Sequence, residues 1–391
     1  MPNDFLKKAV ADIEGAVKDA VEGIENAVQH VGDTIAHALR KDKEVIVYPT
    51  YGYRKEGDEV TWIIRLRIWV SKARRLPIPS SFLAPFTAEM GELSANDVER
   101  LRTRIAHFVA DDDSRERVSV RFDEDPSGRT YDLPGETDFN GLLLTEMELP
   151  DVSARAILAA RKSANGWIDF TVAVEGFEGK GRARLVEPEG ESVISDIDDT
   201  IKITEVPAGP RVVLRNTFLR DYKPVEEMIG RYREHGDAVM FHYVSGSPWQ
   251  LHKLLGEFVK GNFPEGAFHM KDLGKSLLAA ESWHDFVNFT KGSAATFDQK
   301  VEQIGRIMRA FPRRKFTLYG DSGEKDPEVF RQIKSEFGDQ VKKIYIRDVV
   351  GERIKHKPNR LDQTHGDVKD AVVIDVIEAD LIERDKSQFD D

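Results

Sequence analysis

Apolar positions follow three different rhythms along this chain. From residue 4 to about 40, Leu6, Val10, Ile13, Val17, Ala20, Ile24, Ala27, Val31, Thr34 and Ala38 recur at alternating spacings of four and three. That is the heptad period of an amphipathic helix. Ala9, Ala16, Val21 and Val28 widen the stripe. Many seam residues are Ala or Val, so each turn buries little area and the helix needs a partner. The candidates are its own protein, a second helix in a hairpin or coiled coil, or a membrane surface. The polar face mixes Lys7, Lys8 and Lys18 with Asp12, Glu14, Asp19, Glu22 and Glu25. Such a mixture favours a protein partner over anionic lipid.

Between residues 44 and 190 the period shortens to that of strands. Val45–Tyr48, Val60–Val70, Val118–Phe122, Leu142–Leu149, Ile168–Val174 and Arg182–Val186 are rich in β-branched and aromatic residues. Within Thr61–Val70, Arg65 and Arg67 fall on one face and Leu66 and Ile68 on the other. Turn clusters such as Asp125-Pro126-Ser127-Gly128 and Leu133-Pro134-Gly135 separate the runs. The expectation is a β-sandwich-like domain interrupted by a helix over Ala95–Ala110, with Val98, Leu101, Ile105 and Phe108 on its apolar face. Nothing in this region carries evident chemistry. Lys72, Arg74 and Arg75 beside Trp69 could meet lipid headgroups, but a solvated strand end explains them more simply.

From Ser192 onward short apolar runs alternate with helical stretches. Strands are expected at 192–195, 238–244, 315–319 and 342–346, and helices near 223–235, 248–260, 298–311 and 326–336. An irregular part lies around Phe268–Thr290. Such alternation predicts an α/β domain with a parallel sheet and helices on both faces. The predicted division is therefore 1–43, 44–190, 191–350 and a C-terminal extension, 351–391.

Composition narrows the function. The formal net charge of −12 argues against a nucleic-acid partner. No cysteine is present, which excludes disulfides, thiolate metal sites and cysteine nucleophiles. No run reaches the ~18 apolar residues of a membrane span, and no signal peptide is evident. A cytoplasmic protein is expected, with peripheral membrane contact and oligomerisation through the N-terminal helix as open alternatives.

The candidate chemistry lies in the last regime. The strand at 192–195 runs into Asp196-Ile197-Asp198-Asp199-Thr200, three carboxylates that repel one another unless a cation is shared. Three further polar groups follow at strand ends or at a helix start. They are Ser245 and Gly246 in V-S-G-S-P-W, Lys300, and Asp321 with Asp326 in G-D-S-G-E-K-D. Singly they read as an acidic turn, a helix cap, a solvated lysine and another turn; in this order on one α/β scaffold they suit phosphoryl transfer. A carboxylate attacks phosphorus only if a cation offsets its repulsion from the phosphate, and Mg²⁺ takes oxygen ligands. Asp196 is then the expected nucleophile and a metal ligand, with Asp321 as a second carboxylate ligand and a backbone carbonyl near Asp198 as a third. Asp198 also acts as acid and base. Thr200, Ser245, Gly246 and Lys300 hold phosphate oxygens, and Asp326 orients metal-bound water or Lys300. His269, Lys271 and Trp283 are weaker candidates for substrate contact.

These groups resemble the four motifs of the haloacid-dehalogenase phosphatase superfamily. The strings I-S-D-I-D-D-T-I-K, Y-V-S-G-S-P-W, F-P-R-R-K-F-T-L-Y-G-D-S-G-E-K-D-P-E and I-Y-I-R-D-V are similar to the catalytic domain of the actin-patch phosphatidate phosphatases and their bacterial relatives. The resemblance covers about 190–350. It implies a Rossmann-like fold and Mg²⁺-dependent hydrolysis of phosphatidate to diacylglycerol, with Asp196 as nucleophile and Asp198 as acid/base. It does not account for the N-terminal heptads. The motifs leave open a soluble phosphomonoester or phosphoprotein substrate, or a module that binds phosphatidate without turnover. Gaps of 44 residues before Ser245 and 54 before Lys300 leave little room for a large cap, which suits a headgroup at a membrane surface.

Overall fold

The alternation in the longest strand sets the arrangement of the first half of the chain. The structure, a computed structural model, describes residues 43–349 apart from 56–59, 73–92, 106–107, 109–110, 113, 163–164 and 272–293. The heptad segment, Arg74, Arg75, Trp283 and the C-terminal extension lie outside the described residues. The first unit comprises β1 (Lys43–Val47), β2 (Thr50–Lys55), β3 (Thr61–Lys72), α1 (Ala95–Ile105) and β4 (Asp111–Asp112). It continues through β5 (Ser119–Phe122), β6 (Thr130–Asp132), β7 (Leu142–Pro150), α2 (Asp151–Arg161), β8 (Trp167–Val174) and β9 (Phe177–Val186).

In β3, Trp62, Ile64, Leu66, Ile68 and Val70 enter the unit's own apolar core, with Val120, Leu149, Ile157, Phe170 and Ala183. The intervening Arg65, Arg67 and Trp69 occupy the other face, as period two requires. That face is an interface rather than a solvent surface. Trp69 packs edge-on against Trp249 with ring centroids 4.5 Å apart, and Arg67 donates to the Met270 carbonyl at 2.9 Å. All nine strands belong to one mainly antiparallel sheet, in which β1 and β2 pair with β3 along one edge and β7 along the other. The expected sandwich is thus one continuous sheet wrapped around a single core. α1 is described over Ala95–Ile105, residues 106–107 and 109–110 of the expected helix lying outside the described residues, and its Leu101 and Ile105 join the core of the second unit.

The second unit contains β10 (Glu191–Ser195), a helical segment Pro210–Leu219 and α3 (Glu226–Arg233). These lead into β11 (Met240–Pro248), α4 (His252–Asn262), β12 (Gly266–Lys271), α5 (Ala294–Ala310), β13 (Lys315–Asp321), α6 (Asp326–Phe337) and β14 (Val341–Arg347). Its five strands are parallel, in the order β12-β11-β10-β13-β14. Val193 on β10 faces one apolar cluster with Met228, Tyr232, Leu255 and Val259, so α3 and α4 cover that side. Ile194 faces the other, with Ile304, Ile307, Val329 and Ile333 from α5 and α6. β12 was read from the sequence as irregular. Its Ala267, Phe268 and Met270 are all buried, so neither period marks it. Among the described residues no helix is long and apolar enough to cross a membrane.

Candidate active site

The centre of the parallel sheet delivers the first carboxylate. β10 pairs with β11 on one side and β13 on the other, and the Asp196 N–H continues that ladder to the Tyr319 carbonyl at 2.9 Å. Beyond Asp196 the chain turns sharply. The N–H groups of Ile201 and Lys202 both donate to the Ile197 carbonyl at 3.0 Å. Asp199 takes the left-handed conformation, φ 56°, which Asp tolerates better than most residues. Its carboxylate accepts the N–H groups of Thr204, Glu205 and Val206 at 2.9, 2.7 and 2.6 Å. Asp199 therefore holds the turn shut, and Asp196 and Asp198 are left for chemistry.

Lys300 enters from α5 and Asp326 from the first residue of α6. The Lys300 Nζ donates to Asp196 Oδ1 at 2.9 Å, Glu324 Oε2 at 2.8 Å and Asp326 Oδ1 at 2.6 Å. The Asp326 Oδ2 accepts the Asp321 N–H at 3.2 Å. At the end of β13, Asp321 Oδ1 accepts the N–H groups of Gly323 at 2.6 Å and Glu324 at 3.2 Å. Gly320 allows this closure, because a Cβ there would come within 2.6 Å of Asp326 Oδ2.

Electrostatics distinguishes two parts of the site. Burial is the main cause that raises the Asp196 carboxyl well above the usual range; Lys300 opposes it, and Asp326, Glu324 and Asp198 add to it. Asp321 is raised by burial and then by Asp326, Glu324 and Asp196. Glu324 is raised by burial against the pull of Lys300. The same carboxylates lift the Lys300 ammonium upward against its own burial. Asp196, Asp321 and Glu324 each offer an oxygen within 4.8 Å of the others. Asp196 Oδ2 and Asp321 Oδ2 are buried with no hydrogen-bond partner among the described residues. Crowded carboxylates with two orphaned oxygens fit a hard divalent cation.

Asp198 belongs to the other part. Its carboxylate is engaged by Lys202 Nζ at 2.8 Å, Thr204 Oγ1 at 2.7 Å and Ser247 Oγ at 2.8 Å. Burial would raise it, but Lys202 and these hydroxyls prevail and hold it at about 2. Glu324 joins Asp196 and Asp321 in the carboxylate cluster, three residues beyond Asp321 in the same loop. Ser245 is fully buried; its Oγ accepts the Ser247 N–H at 2.9 Å and reaches Asp198 Oδ2 at 3.5 Å. Gly246 lies between the two serines in β11. The Thr200 hydroxyl is buried with no partner among the described residues.

The weaker candidates are not gathered here. His269 pairs with His242 at 3.4 Å, and its pKa is lowered to about 3 by burial and then Arg67. It lines a cleft of about 570 Å³ between the two units. Lys271 donates to Thr296 Oγ1 at 3.2 Å. Glu324, Lys202, Thr204 and Ser247 were not singled out from the sequence. Their only local signal is proximity to the motif residues.

Comparison with known proteins follows the same outline. Residues 191–348 match a family described as "Phosphatidate phosphatase APP1, catalytic domain". Phosphatidate phosphatase APP1 of Saccharomyces cerevisiae is 32% identical over 224 residues, covering 56% of this chain and 35% of the yeast protein. Uncharacterized protein C29B5.04c of Schizosaccharomyces pombe is 30% identical over 173 residues, covering 43% of this chain and 27% of its own. The chain thus spans about a third or less of the length of these relatives. A carbohydrate acetylesterase from Xanthomonas citri superposes with a TM-score of 0.27 at 14% identity, covering 68% of this chain and 63% of that one, too loosely to bear on function.

Proposed function

We propose, from the premise that residues 191–348 form a catalytic domain of the phosphatidate phosphatase type, that the protein is a Mg²⁺-dependent phosphatase. Its substrate is the phosphomonoester of phosphatidate and its product diacylglycerol. The haloacid-dehalogenase chemistry expected from the motifs is retained, with an aspartyl-phosphate on Asp196. The observation that carries the reading is the pairing of two unlike carboxylates at the end of the central strand. Asp196 is tied to Lys300 beside a cation-seeking cluster, and Asp198 is held apart by Lys202.

Asp196 attacks phosphorus and the bond to the lipid oxygen breaks. Lys300 keeps the nucleophile oriented through Oδ1 and offsets charge on the incoming phosphate. Asp198 gives a proton to the leaving oxygen; a nearby phosphate dianion favours its protonated form by like-charge repulsion. Water then attacks the acyl phosphate and Asp198 takes its proton. The Ser245 hydroxyl, the Gly246 N–H and the Thr200 hydroxyl hold phosphate oxygens. Asp196, Asp321 and Glu324 would hold the Mg²⁺, which when bound supplies positive charge against the phosphate. Asp326 positions Lys300 and the backbone of Asp321.

The test is phosphate release from phosphatidate in mixed detergent micelles, with wild type and Asp196→Asn side by side. Expected is turnover by wild type that EDTA abolishes, that falls as neutral detergent dilutes the lipid at the surface, and that Asp196→Asn lowers by at least about 10³-fold. Hydrolysis of small aryl phosphates alone would move the substrate to a soluble phosphomonoester. Vesicle binding without any hydrolysis would make the domain a phosphatidate-binding module.

A further inference from the structure

We propose that Lys202 is the positioning residue of Asp198. It anchors one carboxylate oxygen, Oδ1, so that the other, Oδ2, is the atom that exchanges protons with the leaving group and water. This deepens the phosphatase reading above and rests on it.

The geometry divides the two oxygens of Asp198. Oδ1 receives the Lys202 ammonium at 2.8 Å and the Thr204 hydroxyl at 2.7 Å, and Lys202 also donates to Thr204 Oγ1 at 2.6 Å. The three groups close a triangle. The ammonium sits 4.7 Å over the Tyr222 ring, and Lys202 is 1% exposed. Its backbone is fixed as well: its N–H donates to the Ile197 carbonyl at 3.0 Å and its carbonyl accepts the Asp199 N–H at 2.7 Å. Lys202 is thus rooted in the same turn that presents Asp196 and Asp198.

Among the described residues Oδ2 meets only hydroxyls, Ser247 at 2.8 Å and Ser245 at 3.5 Å. Both lie on the turn assigned to phosphate, and a hydroxyl can rotate toward an arriving phosphate oxygen. Oδ2 is then released toward the reacting groups while Oδ1 stays bound. The site contains two buried lysines with separate tasks: Lys300 tends Asp196, Glu324 and Asp326, and Lys202 tends Asp198.

The protons balance. Protonated Oδ2 gives its hydrogen to the bridging oxygen as the P–O bond breaks, and the alcohol departs. Water then bonds to phosphorus, the bond from Asp196 to phosphorus breaks, and the proton lost by water returns to Oδ2.

Glycerol-type alkoxides leave poorly without that proton, whereas p-nitrophenolate leaves readily. In the full chain, Lys202→Met is therefore expected to slow the first turnover of an alkyl phosphate about 100-fold, the scale of lost acid catalysis. Release of p-nitrophenol in the first turnover should fall by less than about tenfold, with KM unchanged for both. In an Asp198→Asn background, Lys202→Met should add nothing, because it acts through Asp198. Thr204→Val, isosteric and uncharged, should show the same selectivity at about tenfold, the scale of one hydrogen bond. Should Lys202→Met alone fail to fold, the Asp198→Asn/Lys202→Met pair and Thr204→Val still decide. Equal slowing of both substrates, additive losses in the double variant, or a raised KM at constant kcat would overturn the proposal. Wild type inert on every phosphomonoester sinks the phosphatase reading and this one together; wild type active with unselective variants sinks only this one.

Discussion

Asp321 is held in place by backbone N–H groups on one oxygen and left bare on the other. A carboxyl whose folded pKa lies above its unfolded value of ~3.9 contributes stability below that value. The contribution is lost as the pH rises through the raised folded value. Once the pH passes their raised values, ionisation of Asp196, Asp321 and Glu324 weakens the fold until a cation joins the cluster. Two outcomes follow for thermal unfolding at pH 7. Added Mg²⁺ raises the midpoint of wild type. Asp321→Asn keeps the Oδ1 contacts, removes one like charge and stabilises the metal-free protein by about 1–3 kcal/mol, while the Mg²⁺-dependent rise and the activity are lost. If Asp321→Asn melts lower and still responds to Mg²⁺, the assignment of that carboxylate to the cation is wrong.

Between β13 and α6, the seven residues from Gly320 to Asp326 must bring Asp321, Glu324 and Asp326 to one point. They do so because the start of the helix lies almost against the end of the strand. A methyl group on Gly320 would meet Asp326 Oδ2 at 2.6 Å, Asp326 Cβ at 2.7 Å and Phe330 Cε2 at 2.7 Å. Gly320→Ala should push the first turn of α6 outward and cost about 1–3 kcal/mol in urea unfolding. It should also lower kcat more than a stability loss of that size accounts for, since Asp326 then releases Lys300. Retained kcat in a folded Gly320→Ala variant would show that the close approach serves packing alone. The same loop explains a limit of sequence reading. Its motif was legible in G-D-S-G-E-K-D, yet Asp326 was distinguished there and Glu324 was not. Nothing local tells which acid faces the cluster.

The two units share more than a linker. Tyr48 and Trp69 from the β-rich unit lie in the same apolar cluster as Val193, Phe241 and Trp249. The Tyr48 hydroxyl also donates to the Trp249 carbonyl at 2.8 Å. Across the linker, the buried Arg314 guanidinium donates to the Glu187 carbonyl at 2.7 Å and to Ser192 Oγ at 2.9 Å. One cooperative unfolding transition is expected for the described residues, with amide exchange in β8–β9 and in β10–β13 protected to the same free energy. Trp249→Ala removes the ring packed edge-on against Trp69 and should cost about 3–5 kcal/mol. It should also let β8–β9 exchange independently of the parallel sheet. Independent exchange already present in wild type would mean that the interface adds no cooperativity. Trp249 follows the serine turn directly, so the β-rich unit braces the strand end that carries Ser245 and Ser247.

Local pattern was enough to identify the alternating strands and helices after Ser192 and the residue types at their ends. Both follow from spacing along a single strand or turn, and Asp196, Lys300, Asp321 and Asp326 were legible for that reason. Long-range register decided the rest. It set Arg67 and Trp69 against Met270 and Trp249 of the second unit, and made one sheet of the expected sandwich. It also brought Asp196, at the end of β10, beside Asp321 and Glu324 at the end of β13; the contact of Lys202 with Asp198, four residues earlier, is local and depends on how one turn closes. Each of the long-range contacts depends on which face of an element meets another element far away in sequence, and a one-residue change of register would reverse it.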